Sequence, residues 1–378
     1  MPDTPLAIAA SSTLKLRRVA AWRGIRVLTW DGETLYGCRG YQIFGLHAGT
    51  NADWEMVARF RPVWWRNITS SNVLSYRLMR DGFHALAILG SPLNGPTNDQ
   101  TMVGAIPGAL LTRTPGSDEF HVTHQVRRGT RPLHVTAVPS GSIYWGEYFD
   151  NRERAEVCIY VSTDRGCTWQ IAYTFPAGSI RHIHNIVYDR WGDCLWILTG
   201  DEGAECKVLR ASCDLRSVEV VLGGNQQTRA VAAIPTENGL YLSTDTPLEK
   251  NHVYRLDYRI AGSEKDGSGK VEPVGDLASS SIYGCRVGGQ AGEAMFFSTM
   301  IEPSAVNIDR DVQIVGSRDG INWQVLARWT KDNLPMRYFQ YGNAILPDGE
   351  NSTRYLAATS IAVEAHDLVT TLWEVESA

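Results

Sequence analysis

The sequence predicts an all-β fold, a single β-propeller of seven blades, and three observations support this prediction. The chain of 378 residues has 35 Gly, 12 Trp and 15 Tyr, and its apolar segments are short and end at turn residues, as strands do. A Ser-x-Asp turn recurs at Ser162, Ser212 and Ser317, positions separated by 50 and 105 residues, which fits a unit of about fifty residues counted once and twice. The remaining sequence also divides into strand groups at this period, which is typical of a propeller.

The seven strand groups define the expected domain organisation. The predicted blades span about 25–60, 75–126, 131–175, 180–222, 228–277, 281–329 and 338–377. No Pro/Ser-rich linker divides the chain, so one domain over 1–378 is expected, with a propeller plus a lectin-like sandwich as the alternative. A Pro/Gly/Asn-rich insertion is expected over Ser91–Gly104, and a flexible hairpin tip over Gly262–Gly269.

The last group contains only three strands, and the N-terminal segment suggests how it is completed. Residues 14–20 alternate between apolar and polar side chains and belong to no other group. A strand there would complete the last blade and close the ring, which removes exposed sheet edges.

The turn from Ser162 to Trp169 is explained residue by residue. Asp164 accepts hydrogen bonds from amides of its own loop, Gly166 supplies a positive φ, and Trp169 packs its indole under the turn. This segment resembles the Asp-box of the sialidase-like, BNR-repeat propellers. The resemblance implies a turn at the blade periphery, away from the site, in a superfamily with many glycan-cleaving enzymes. The Arg-Ile-Pro signature of sialidases is missing, so a typical sialidase is not expected.

Charge, cysteine content and motif searches exclude several classes of protein. The net charge of −5 gives no sign of a nucleic-acid partner. Seven cysteines without a Cys-x-x-Cys pair favour reduced thiols and a cytoplasmic location, unless a leader has been removed from the chain. No apolar run approaches a membrane span. The chain lacks a nucleophile elbow, a Walker loop, a dinucleotide-binding loop and a His-Glu-x-x-His motif.

Two histidines of the fourth group are the leading site candidates. The innermost strand of each blade lines the propeller channel, and ligands bind at its mouth. His182 and His184 lie two apart on such a strand and share a face, so they could hold a divalent metal with His134 as a third imidazole, or act as base and acid. Alternatively, one ring bonds a backbone carbonyl and the other packs against a tryptophan. No other group contains this pair, which favours a functional role.

Further candidates come from the third, fourth, fifth and seventh groups. Glu147 is a candidate acid or base, unless it pairs with Arg152 or Arg154, and the neighbouring aromatic side chains offer flat faces for a sugar unless they are core. The candidate catalytic residues are His182, His184, Glu147, Tyr148 and Asp201. The candidate substrate-binding residues are Arg181, His134, Trp145, Arg229, Tyr338 and Tyr341.

The predicted function is cleavage of a glycosidic bond in an acidic glycan or oligosaccharide. Hydrolysis would use Glu147 and a second carboxylate such as Asp201 as acid and base. β-Elimination would use a His or Tyr to remove the proton α to a uronate carboxylate, while arginines or a His-bound metal neutralise that carboxylate. A non-catalytic propeller that binds a glycan or a protein partner is the alternative.

Overall fold

Seven sheets, six of four strands and one of five, form a seven-bladed propeller. The structure is a computed structural model that describes residues 13–50, 53–70, 73–90, 99–257, 270–288 and 293–377. In the second to sixth blades, consecutive strands pair antiparallel from the channel outwards. The all-β, seven-bladed prediction is therefore confirmed.

The first blade contains β2 (Arg26–Gly32), β3 (Thr34–Arg39), β4 (Gln42–His47) and β5 (Glu55–Arg59). The second contains β6 (Ala85–Leu89), β7 (Thr101–Ile106), β8 (Ala109–Arg113) and β9 (His121–Gln125). The third contains β10 (Thr136–Ala137), β11 (Ile143–Gly146), β12 (Val157–Ser162) and β13 (Gln170–Phe175). The fourth blade contains β14 (His182–Asp189), β15 (Cys194–Gly200), β16 (Lys207–Ser212) and β17 (Val218–Gly223). The fifth contains β18 (Ala230–Thr236), β19 (Gly239–Thr244), β20 (Asn251–Asp257) and β21 (Lys270–Leu277). The sixth contains β22 (Ser281–Val287), β23 (Ala294–Thr299), β24 (Asp311–Ser317) and β25 (Gln324–Thr330). The seventh blade contains β1 (Leu14–Arg23), β26 (Asn343–Ile345), β28 (Tyr355–Ile361) and β29 (Val369–Ser377), and β27 (Asp348–Asn351) joins the first blade.

The core lies between adjacent blades. Second strands such as β15 are buried along their whole length, because both faces of the sheet are covered by neighbouring blades. Trp196 of β15, for example, packs with Leu240 and Leu256 of the next blade. The outermost strands β13 and β17 are the more exposed strands of their blades.

The N-terminal strand closes the ring, as predicted. β1 pairs antiparallel with β29 from Leu14↔Ser377 to Arg23↔Val369 and is the outermost strand of the seventh blade. Leu14 is buried in a cluster that includes Trp373 and Val375. The inner strand β26 is short, because Pro347 follows it and has no amide to donate to a ladder. The chain then crosses over, and β27 runs parallel to β2, a pairing that sequence patterns did not indicate.

The three Ser-x-Asp turns share one hydrogen-bonding scheme. Ser162 Oγ donates to Asp164 Oδ1 at 2.8 Å, and the equivalent bonds from Ser212 and Ser317 measure 2.6 and 3.0 Å. Each turn joins the third and fourth strands of its blade. Asp164 also accepts from the Thr168 amide at 2.8 Å. The turns therefore stabilise the outer edges of their blades.

Some local expectations need correction. The second predicted blade begins with helices and not with a strand: α1 (Trp64–Ser70) and α2 (Val73–Met79) precede β6, and α3 (Met336–Phe339) precedes β26. The predicted insertion Ser91–Gly104 extends too far, since β7 already starts at Thr101. Its residues 91–98, and the predicted hairpin tip 262–269, lie outside the described residues. Among the helices of the described ranges, none is long and apolar enough to cross a membrane.

Candidate functional site

A cavity of about 490 Å³ opens at the mouth where the inner strands begin. Four of its lining residues are Leu28, His184, Val231 and Ile282. Each is the residue skipped by a register shift between the first and second strands of its blade. Such a bulge turns one extra side chain out of the ladder. Three blades therefore present an apolar side chain at this position, whereas the fourth presents an imidazole.

The two predicted histidines meet Asp201 at this mouth. The Nε2 atoms of His182 and His184 are 3.1 Å apart, and Asp201 Oδ1 lies 3.4 and 3.2 Å from them. Asp201 directly follows β15, whose end pairs with the start of β14. Both histidines are buried, and His184 and Asp201 line the cavity.

The second nitrogen of each ring fixes its tautomer. His182 Nδ1 donates to the Phe149 carbonyl at 3.0 Å, and His184 Nδ1 donates to the Ala230 carbonyl at 2.9 Å. A carbonyl only accepts, so the proton of each neutral ring is on Nδ1. In neutral rings the Nε2 lone pairs then converge on Asp201 Oδ1, whereas a ring that also carries a proton on Nε2 donates it to that oxygen.

Cations and burial set the charge of this cluster. Burial disfavours the ionised form of Asp201, but hydrogen bonds and positive charge from His182 and His184 hold the pKa of Asp201 well below its usual range. Burial lowers the pKa of His184, although its hydrogen bond with Asp201 acts in the opposite direction. Arg181 Nη1 approaches Asp201 Oδ2 at 3.1 Å, and Arg229 Nη2 approaches Oδ1 at 3.4 Å.

Tyr148 completes the predicted part of the cluster. Its ring centroid is 4.3 Å from that of His182, and the side chain lines the cavity. Burial and the nearby carboxylates Asp201 and Asp245 raise the pKa of Tyr148 to about 12. The hydroxyl is therefore a proton donor at neutral pH.

Asp245 is a cavity residue that the sequence reasoning missed. It directly follows β19, the same place that Asp201 occupies after β15 of the preceding blade, and this equivalence is the signal that could have identified it. Asp245 Oδ2 lies 3.3 Å from Arg229 Nη2, whereas Oδ1 is buried without a hydrogen-bond partner among the described residues. Burial, with the nearby Glu302 and Asp201, raises the pKa of Asp245 to about 7 against the opposing charge of Arg229.

Three arginines, Arg26, Arg80 and Arg131, line the same cavity. Arg26 is bonded to the Tyr76 hydroxyl and the Cys38 sulfur, and Arg131 donates to the Arg80 carbonyl at 3.1 Å. Within the described ranges, no ion pair joins Arg26, Arg80 or Arg131 to a carboxylate. Burial and the charges of the other two arginines lower the pKa of Arg131. The cavity thus has one strongly cationic wall.

Other predicted residues lie elsewhere. Glu147 is buried in an ion pair with Arg128, and its Oε2 accepts the Cys158 amide at 2.8 Å, so its partner is neither Arg152 nor Arg154. Trp145 is a core residue stacked on Tyr160 with centroids 4.4 Å apart, so it presents no face to a ligand.

The remaining candidates have mixed placements. His134 borders the cavity but pairs with Asp348 at 3.0 Å, so the histidines meet Asp201 and not a third imidazole. Tyr341 lines the cavity, whereas Tyr338 is exposed on α3 and does not. Arg181 also lies outside the lining and ties Asp201 to Asp150.

Comparison with known proteins identifies the fold. No family model and no curated protein matches the sequence. Among solved structures, the β-propeller domain of Cps50 (Swd1) from Myceliophteria thermophila is similar with a TM-score of 0.57 and 11% identity, covering 96% of this chain and 100% of that one. A chain of the Mitotic Checkpoint Complex aligns with a TM-score of 0.55 and 9% identity, covering 99% and 98%.

A hydrolase is also similar. A puromycin hydrolase variant complexed with PGG aligns with a TM-score of 0.54 and 13% identity, over 90% of this chain and 50% of that chain. At these identities the similarity concerns the fold alone, and the fold is a β-propeller.

Proposed function

We propose that this propeller is a carbohydrate-active enzyme that cleaves a glycosidic bond in an acidic glycan by β-elimination. The observation that carries the proposal is one cavity lined both by His184, Asp201 and Tyr148 and by three arginines that have no carboxylate partner among the described residues. The resemblance of the Ser162–Trp169 turn to the sialidase-like propellers agrees with a glycan substrate. The seven cysteines all lie in the described residues and form no disulfide with one another there, which agrees with the cytoplasm as the proposed compartment.

The cationic wall supports an acidic substrate. Arg26, Arg80 and Arg131 repel one another, and a carboxylate placed among them would relieve this repulsion and accept paired N–H donors. Neutralising a uronate carboxylate makes its α C–H bond more acidic, which is the first requirement of elimination. Tyr148 is near enough to Arg131 to influence the pKa of its guanidinium, so this tyrosine and the arginines are within reach of one sugar unit.

Other residues of the cavity would supply the proton transfers. His184 acts as the base and removes the proton α to the carboxylate, while the Tyr148 hydroxyl is a proton donor, and the electron pair of that C–H bond forms the carbon–carbon double bond. The bond from the β-carbon to the glycosidic oxygen breaks, and this oxygen takes a proton from an acid in the cavity, for which Asp245 is placed. General acid and base groups of this kind contribute about 10²–10⁴-fold each.

Hydrolysis is the second candidate, and Asp245 is the observation that favours it. The carboxyl group of Asp245 holds its proton to about pH 7, while Asp201 is paired with Arg181. Both approach the same nitrogen of Arg229, so an acid and a carboxylate base are neighbours in the cavity. Glu147 is not available for the role first assigned to it, because Arg128 occupies its carboxylate.

The test is a screen of the purified protein against acidic and neutral glycans that records both new reducing ends and the ultraviolet absorbance of an unsaturated product. Elimination gives both signals, and hydrolysis gives reducing ends alone. Tyr148→Phe and Arg131→Gln should each lower kcat/KM at least 100-fold on the identified glycan.

The matched control is His252→Ala, which removes a His–Asp pair of an outer strand and should leave turnover unchanged. If Tyr148→Phe and Arg131→Gln turn over the glycan like the parent, the catalytic proposal fails. A glycan bound without any cleavage would indicate the non-catalytic alternative, in which the propeller is a binding module.

A further inference from the structure

The cluster of His182, His184 and Asp201 has the geometry of a metal site. Their three converging atoms are the two Nε2 nitrogens and Oδ1, which lie 3.1, 3.2 and 3.4 Å from one another. A zinc ion held at about 2.0–2.1 Å in a tetrahedron separates its donors by about 3.3–3.4 Å, and an octahedral ion by about 3.0 Å. The three separations fall in this interval, so one ion would contact all three atoms without rearrangement.

The outer contacts also match those of metal-bound histidines. Such histidines almost always donate their other ring N–H to a carboxylate or a backbone carbonyl, which fixes the tautomer and orients the ring. His182 and His184 both do so, through the carbonyls of Phe149 and Ala230. Two neutral rings in these tautomers direct lone pairs at each other and at an anionic oxygen, and this arrangement requires a positive charge between them.

We propose that His182, His184 and Asp201 bind one divalent transition-metal ion of the zinc type. Two imidazoles and a carboxylate suit such an ion better than calcium or magnesium, which prefer oxygen ligands only. His184 and Asp201 face the cavity whereas His182 lies behind them. The open coordination position is therefore directed into the cavity, where it would take a water molecule or a substrate oxygen.

The binding site stands independently of the proposed function, but its catalytic role rests on that function. With their Nε2 atoms on a metal, the histidines are ligands and no longer the base, and the added positive charge would favour the phenolate form of Tyr148, which would then be the base for elimination. Arg229, 3.4 Å from Asp201 Oδ1, then orients the carboxylate ligand. The ion would add positive charge to the cavity that the three arginines also line.

The test measures metal binding without any substrate. The full chain is stripped with a chelator and titrated with Zn²⁺ and with Co²⁺ by calorimetry, and the Co²⁺ form is examined for the visible d–d absorption of a low-coordinate site. One ion per chain is expected. Zn²⁺ at about a hundred times its Kd should raise Tm by about 3 °C for a chain of this length.

Matched variants separate this site from adventitious binding. Asp201→Asn and His184→Ala should each lower the affinity at least 100-fold, whereas His252→Ala, at the His–Asp pair of an outer strand, should bind like the parent. Asp201→Asn keeps the shape of the side chain, so it remains informative if His184→Ala does not fold.

Equal affinity of the parent and Asp201→Asn would overturn the proposal, as would no binding of either ion to the parent. If neither ion binds, a proton shared by the two histidines would supply the positive charge between them. If the protein binds the metal but cleaves no glycan, that result would count against the proposed function alone.

Discussion

Replacement of Leu14 by alanine tests the ring closure, because this side chain is the buried anchor of β1. Leu14 is 4% exposed and packs with Trp373 and Val375 of β29. The change removes most of a buried leucine side chain at the far end of a ladder that runs from Leu14↔Ser377 to Arg23↔Val369.

The expected loss follows from this burial. Leu→Ala in a well-packed core costs about 2–5 kcal/mol, from lost transfer free energy and the cavity that remains. With an unfolding entropy of about 2.1 cal/mol/K per residue, a chain of 378 residues changes Tm by roughly 4 °C for about 3 kcal/mol.

The assay is urea unfolding followed by tryptophan fluorescence and circular dichroism, with Val19→Ala as the control in the same strand. Val19 is 46% exposed and lies at the register shift of β1, so its truncation should cost less than about 0.5 kcal/mol. Deletion of residues 1–20 should abolish cooperative folding. Equal midpoints for Leu14→Ala and Val19→Ala, or a deletion that unfolds like the full chain, would refute the closing role of β1.

Two further predictions concern a turn and a buried carboxyl. Gly320→Ala should destabilise the protein by several kcal/mol in urea unfolding, because φ is +72° and the new Cβ would clash with the Tyr241 hydroxyl. The control is Gly178→Ala, which has a φ of +83° but open space around it and should cost only about 1 kcal/mol. Equal costs for the two substitutions would contradict the clash. For Asp245 the ordinary pKa is 3.8 and the folded pKa is about 7, so its stabilising contribution is complete below pH 3.8 and is lost as the pH rises to about 7. Asp245→Asn should therefore gain stability over the parent as the pH rises, by up to about 4 kcal/mol between pH 4 and 7, and a difference that does not change with pH would contradict the raised pKa.

The repeating architecture was predictable because its signals are local. Alternation in residues 14–20 identified a strand without a blade, and the Ser-x-Asp turns supplied the period. The helices α1 and α2 were missed because they interrupt that period between two blades, where strand spacing gives no information.

The site was only partly predictable, since side-chain direction depends on long-range partners. His182 and His184 were found because they differ from the other inner strands. Their meeting, however, depends on a bulge at His184 that alternation alone does not reveal. Glu147 was assigned to the site because it follows a glycine among aromatic side chains, yet Arg128 of a preceding loop holds its carboxylate. The arginine wall is assembled from distant parts of the chain.

The composition of β1 has a consequence for biosynthesis. Arg17 bonds Glu376 across 359 residues, so β1 emerges from the ribosome long before its partner exists and waits as an unpaired strand. Translation at about 5–20 residues per second makes that wait roughly 20–70 s. Lys15, Arg17, Arg18 and Arg23 give β1 four positive charges and no negative ones, which discourages pairing with a second copy of itself. The acidic Glu374 and Glu376 of β29 then select the correct partner by charge. The positive charges of β1 therefore oppose false association first and direct ring closure later.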